Sequence, residues 1–215
     1  MSFLVFDVET NAMVEWGLPA DHDNQARLAA WGMLFVDDNM NITEGYHGLV
    51  KPDGWCMTEE ASRVNGLTDE RLHAEGKDIR LPMTLMGEAI DFGRTLVAHN
   101  LSFDLKIMRG EFRRLDWGRD DRFDSKGVPL EPYKYADRCE RSGICTMLRL
   151  TAECQIPRND GKRGYKWPKL QEAVQIILGE ELRDAHTAAA DTIACYRLLK
   201  AMKQRGLLRS FGAAA

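Results

Sequence analysis

Four carboxylates and one imidazole stand in three short segments far apart along the chain: Asp7 and Glu9 in FLVFDVET, Asp104 in AHNLSFDL, and His186 and Asp191 in DAHTAAAD. Carboxylate oxygens are the ligands that hard divalent cations prefer. An imidazole is the side chain best suited to accept a proton near neutral pH. Together they form the inventory of a two-metal phosphodiester-cleaving site, in which paired cations clamp the attacking and leaving oxygens.

The elements that must position these groups can be read from the pattern around them. Residues 3–7 are short, apolar and rich in β-formers, as in a buried strand. Side chains two apart on a strand share a face, so Asp7 and Glu9 can converge on one cation. Two acids in an apolar strand are costly unless something pairs with them. Residues 95–98 form another short apolar strand. They lead into an amphipathic helix at 101–115, with Leu101, Leu105, Met108, Phe112 and Leu115 at three- and four-residue intervals. Asp104 lies in its first turn, where the helix dipole favours a carboxylate. Its function requires this helix start beside the end of the first strand. His99 and Asn100 can shape the same cleft; no role is assigned to His99. His186 and Asp191 are five apart, a rotation of about 140° on a regular helix. They share a cleft only if His186 sits in a frayed first turn, which Asp184 as the cap provides. There a helix N-terminus disfavours the imidazolium and suits a base. The small residues 187–190 let a backbone or a substrate approach closely.

The remaining elements complete an α/β pattern. Residues 29–36 and 42–50 read as a hairpin joined at the polar loop 37–41, and 11–27 as loop. Residues 58–64 form a short helix, Thr68 caps a second, and Pro82 opens a third at 83–92. Helices follow at 145–152, at 169–178 (stopped by Gly179) and at about 185–204. Residues 117–138 are polar and turn-rich, as in an insertion or lid loop. The expectation is one domain over 1–208 with a short tail at 209–215. Its sheet is mixed, of about five strands with one antiparallel, and helices flank both faces.

Bulk properties exclude several classes. The start has no basic n-region or cleavage site, and no stretch approaches the roughly 20 apolar residues of a membrane span. Five cysteines without a CxxC pair argue against a disulfide framework or zinc site and for a reducing cytoplasm. The net charge of −4 would be offset by two divalent cations, so it decides nothing about nucleic acid. The segment 155–169 is more telling. Arg158, Lys162, Arg163, Lys166 and Lys169 oppose only Asp160, and Tyr165 and Trp167 are interleaved with them. Basic groups neutralise phosphates and aromatic rings stack on bases. Lys166 and Trp167 are accordingly expected to contact substrate.

With these motifs in view, the chain resembles the DEDDh 3′–5′ exonucleases, the DnaQ-like family on the ribonuclease H-like fold. DVET is similar to the family's first motif, AHNLSFD to its second and HTAAAD to its third; NGLTDERL (65–72) is similar to the segment after the third strand. The resemblance implies Asp7, Glu9, Asp104 and Asp191 as ligands of two Mg²⁺ or Mn²⁺ ions and His186 as the general base. It implies removal of nucleoside 5′-monophosphates from a single-stranded or frayed 3′ end. DNA is the favoured substrate and RNA the alternative; a silent nucleic-acid-binding or polymerase-associated module is a third reading. Polymerase association and homo-oligomerisation are left open. Thr10, Asn11, Ala12, Asn100 and Phe103 are the expected substrate contacts from the motifs. Where the family often has Thr-Thr-Gly or Met-Thr-Gly after the acid pair, this chain has Thr10, Asn11 and Ala12, without the glycine that lets a backbone approach the terminal nucleotide.

Overall fold

The computed structural model describes residues 2–115, 143–182 and 187–208. Five strands form one sheet in the order β3-β2-β1-β4-β5: β1 (Phe3–Thr10), β2 (Leu28–Val36), β3 (Ile42–Leu49), β4 (Thr95–Ala98) and β5 (Ile144–Cys145). β2 runs antiparallel to both β1 and β3, whereas β4 is parallel to β1 and β5 to β4. One antiparallel strand in a mixed sheet is the expected pattern. β5 completes the expected count of about five strands, at a place that two residues without periodicity do not mark in the sequence.

Seven helices occur among the described residues: α1 (Glu59–Asn65), α2 (Asp69–Glu75), α3 (Arg80–Asp91), α4 (Leu101–Arg114), α5 (Thr146–Cys154), α6 (Leu170–Leu178) and α7 (Ala188–Gln204). Thr58 and Thr68 cap α1 and α2 through their hydroxyls, and Gly66 ends α1 in the left-handed conformation, as expected from their types. α3 begins two residues before Pro82. A proline in the first turn gives up an N–H that has no intrahelical partner there, so the helix can start ahead of it. α7 begins at Ala188, not near Ala185. Its cap is Thr187, whose hydroxyl accepts from the Ala190 amide at 3.3 Å. The expected capping residue Asp184, the general-base candidate His186, the 117–138 loop and the 209–215 tail lie outside the described residues.

Alternation along β1 divides the core. Leu4, Phe6 and Val8 face a layer containing Met83, Met86 and Ala89 of α3 and Leu105, Met108 and Phe112 of α4. Phe3 and Val5 face the other way, against α5, α6 and α7 through Leu150, Val174, Ala194 and Leu198. Both layers are apolar, so burial on each side holds the sheet in place. On the α7 side the alternation continues into Asp7 and Glu9, where apolar residues give way to acids at the strand's carboxyl end. No helix among the described residues is long and apolar enough to cross a membrane.

Candidate metal centre

The carboxylates of Asp7, Glu9 and Asp191 present oxygens that all lie within 4.8 Å of one another. β1 supplies the first two by its two-residue repeat. Asp191 comes from the fourth position of α7, which runs along the same face. The approach of that helix depends on Gly32, the β2 residue paired with Asp7. A Cβ at Gly32 would stand 2.5 Å from the Ala188 carbonyl oxygen and 2.5 Å from the Thr192 hydroxyl. Only hydrogen fits between this strand and the first turn of α7. The small residues 187–190 therefore serve a backbone-to-backbone contact, one of the two uses their size suggested.

Asp104 arrives from the opposite layer, in the first turn of α4. It is 2% exposed, and its Oδ1 accepts the Val8 amide, the peptide between the two strand acids, at 3.2 Å. That bond ties the helix start to the end of β1. Asp191 is 8% exposed, while Asp7 and Glu9 keep partial access to solvent.

Burial and the neighbouring acids raise the proton affinity of Asp7, Glu9 and Asp104. Burial, then the charges of Asp104, Asp191 and Glu9, hold the Asp7 carboxyl well above the usual carboxylate range. Burial is also the main cause at Asp104, opposed by the Val8 hydrogen bond and reinforced by Glu9 and Asp191. Glu9 is pushed up to about 8 by burial and Asp191, with a hydrogen bond from Asn65 lowering it in part. Such a cluster is unfavourable when fully ionised and becomes favourable once a cation supplies the missing positive charge. The donor set, all carboxylate oxygen, fits a hard divalent ion.

Asn65 is the neighbour that residue-by-residue reading passed over. Its amide donates to the Thr10 carbonyl at 3.0 Å as well as acting on Glu9. The signal was present in the NGLTDERL segment but attached to no single residue. A cavity of about 450 Å³ opens beside Glu9 and Asn65, walled by Ala30, Leu49, Leu67 and Ala188. Its volume falls in the range of small-molecule pockets.

The expected substrate contacts divide. Asn11 is committed to the fold: its amide nitrogen donates to the Cys56 carbonyl at 2.8 Å and its oxygen accepts the Arg27 amide at 2.7 Å. The buried Thr10 hydroxyl donates to the Ala12 carbonyl. These bonds shape the turn after the acid pair from within. Ala12 and Phe103 are partly buried against the core. Asn100 adopts a left-handed conformation (φ 79°) ahead of α4 and accepts from the Ser102 hydroxyl. Lys166, expected on a phosphate, is ion-paired with Glu172 at 2.6 Å. Trp167 is exposed.

His99 is held within the framework. The Pro168 carbonyl can only accept, so the Nε2 hydrogen points to it at 3.0 Å, leaving Nδ1 to accept from the Thr146 hydroxyl at 2.9 Å. Burial pushes this imidazole down to about 4, so it stays neutral over the physiological range.

The sheet order, the helices on both faces and the acids at the end of β1 can be set beside solved structures. E. coli exonuclease I bound to a dT13 oligonucleotide superposes with a TM-score of 0.66 over 95% of this chain and 41% of that one, at 20% identity. This chain has the fold of that part of exonuclease I. A zinc-bound form of the exonuclease I complex with single-stranded DNA gives the same score and identity. The resemblance to DnaQ-like exonucleases is thus borne out at the level of the ribonuclease H-like fold. Among curated proteins, the PolC-type DNA polymerase III of Streptococcus thermophilus is 29% identical over 113 residues, 53% of this chain. That of Streptococcus pyogenes is 31% identical over 117 residues, 54% of the chain. In both, the match spans 7% of the polymerase, so the chain corresponds to a small part of those relatives. No protein-family model matches the chain.

Proposed function

We propose that the chain is a metal-dependent 3′–5′ exonuclease acting on single-stranded or frayed DNA ends and releasing nucleoside 5′-monophosphates. The observation that carries this reading is the convergence of Asp7, Glu9 and Asp191 within 4.8 Å, with buried Asp104 acting electrostatically on the same group. Asp7, Glu9, Asp104 and Asp191 are the residues that would hold two Mg²⁺ or Mn²⁺ ions. When bound, such ions supply positive charge to phosphate oxygens and lower the pKa of water.

The chain's own groups divide the remaining work. Asp104 fixes the start of α4 to the peptide between Asp7 and Glu9. Asn65 orients the carbonyl of Thr10 and the carboxylate of Glu9 at the mouth of the adjoining cavity. His186, five residues before Asp191 in the third motif, is the proposed proton acceptor. DNA is favoured because the structural neighbours are complexes of an exonuclease with DNA oligonucleotides. The PolC match makes a proofreading partnership with a polymerase a proposal of the same kind.

The test is degradation of 5′-labelled single strands of DNA and of RNA, with Mg²⁺ or Mn²⁺ and with EDTA. Shortening of the DNA from its 3′ end, release of 5′-monophosphates and loss of both in Asp7→Ala are expected. Full activity in Asp7→Ala would overturn the assignment, and preference for RNA would change the substrate.

A further inference from the structure

We propose that the hairpin over residues 155–169 is a stacking platform for single-stranded nucleic acid. The proposal rests on the nuclease reading for where the strand ends, and on the hairpin's own structure for what it binds. Pro157 and Tyr165 pair as an antiparallel bridge, and the Lys166 amide donates to the Ile156 carbonyl at 2.9 Å. Left-handed Gly161 and Gly164 turn the chain between them. Beyond the bridge, Pro168 is buried and receives the His99 hydrogen bond. The segment is therefore a held element.

Held in this way, it presents aromatic rings outward. Tyr165 is 41% exposed and Trp167 64% exposed. Exposed rings on a fixed backbone keep apolar area in water, a cost that a stacked base would remove. The charge left over around them after pairing is positive. Asp160 is taken up by Arg158, and Glu172 by Lys166. Lys162 and Arg163 make no ion pair among the described residues and remain for phosphates, while Lys169 acts on Glu172. Cations beside open rings suit a strand that has both backbone charge and unpaired bases.

Its position agrees. Val97 of β4 pairs with Val5 of β1. His99 stands two residues beyond Val97, as Asp7 stands two beyond Val5. The anchor of the hairpin is thus level with the acid cluster at the carboxyl ends of the parallel strands, where sites of open α/β sheets gather. A strand whose end lies at Asp7 and Glu9 can lay its upstream bases on Trp167 and Tyr165.

The experiment is fluorescence anisotropy with a labelled oligo-dT of about 16 nucleotides, in full-length Asp7→Asn protein, which separates binding from cleavage. Trp167→Ala is expected to weaken binding roughly tenfold, and Trp167→Phe to restore most of it. Joint replacement of Lys162 and Arg163 by Ala is expected to reduce the steepness of log K against log salt by about 1.4. The control is Phe92→Ala, a still more exposed ring (78%) that precedes β4 at its other end, with no change expected. If Trp167→Ala binds as tightly as Phe92→Ala, or if the parent does not bind the oligonucleotide, the platform is overturned. Cleavage by the unmodified protein is scored separately, so either result leaves the nuclease reading to its own test.

Discussion

Two buried acids on one helix have opposite surroundings. Asp104 and Glu111 are seven residues apart on α4, two turns along the same face. They are 2% and 1% exposed. Glu111 is enclosed by cations and amides. Arg27 meets both of its oxygens, at 2.8 and 3.1 Å, Arg114 donates at 3.2 Å, and the Leu28 amide at 3.1 Å. Asp104 has the Val8 amide and then the charges of Glu9 and Asp191. The first is a completed ionic joint that fastens α4 to the start of β2. The second belongs to a cluster of like charges, with Glu9 and Asp191 as its charged neighbours. Burial of a carboxylate therefore marks nothing by itself. The sign of its neighbours separates a structural joint from a candidate cation site.

The sharpest way to break this comparison is to neutralise one acid of each kind. Asp104→Asn keeps an oxygen for the Val8 amide but removes a ligand charge. We expect metal-dependent cleavage to be abolished while the metal-free protein melts at a higher temperature, since a repelling charge is gone. A lower melting temperature in EDTA would show that Asp104 is a structural residue like Glu111. Glu111→Ala should do the reverse. It leaves two guanidinium groups facing each other at a buried joint and should cost about 3–5 kcal/mol in chemical denaturation, with residual activity in the fraction still folded.

A smaller effect comes from supplying the missing charge. Burial and Asp191 push the Glu9 carboxyl up to about 8 in the fold, from its ordinary 4.5. The metal-free folded state thus keeps a proton that the unfolded chain loses. The Glu9 contribution to stability is fully present below about pH 4.5 and is lost as pH rises through about 8. Mg²⁺ or Mn²⁺ at pH 7 should release protons and raise the melting temperature, by about 2.7 kcal/mol of stability at a hundred times Kd. Calorimetry in buffers of different ionisation enthalpy measures both quantities. No proton release would contradict the raised affinities. The smallest change is Gly32→Ala, which should cost about 1–3 kcal/mol by overpacking and lower activity more than stability, because the Cβ displaces the helix that carries Asp191. Activity equal to the parent would show that α7 tolerates the shift.

The acid cluster was legible because strand and helix periodicities are local. Asp7 and Glu9 share a face by spacing alone, and Asp104 follows a short apolar strand. The joint at Glu111 was invisible for the opposite reason. In GEFRR it reads as part of a polar helix end, and Arg27 lies 84 residues away in a segment that looked like plain loop. The same holds for Gly32, whose need for a missing side chain is set by a helix some 150 residues later in the chain. The start of α7 was misplaced because Asp184 and Thr187 are both good caps three residues apart, with no breaker between them. Lys166 was expected on a phosphate because the composition of its segment is basic; the partner, Glu172, sits one helix turn into the next element.

The strap from His99 to Pro168 bears on how such a protein changes its preferences. The hairpin is closed by its own Pro157–Tyr165 bridge and held to the body by Ile156 packing on the core, one imidazole and one ion pair, and none of these involves an acid of the cluster. Residues 158–164 can therefore be exchanged as a cassette. The acid-bearing end of the sheet would be inherited intact while the hairpin is rewritten, a division open both to natural drift and to deliberate grafting.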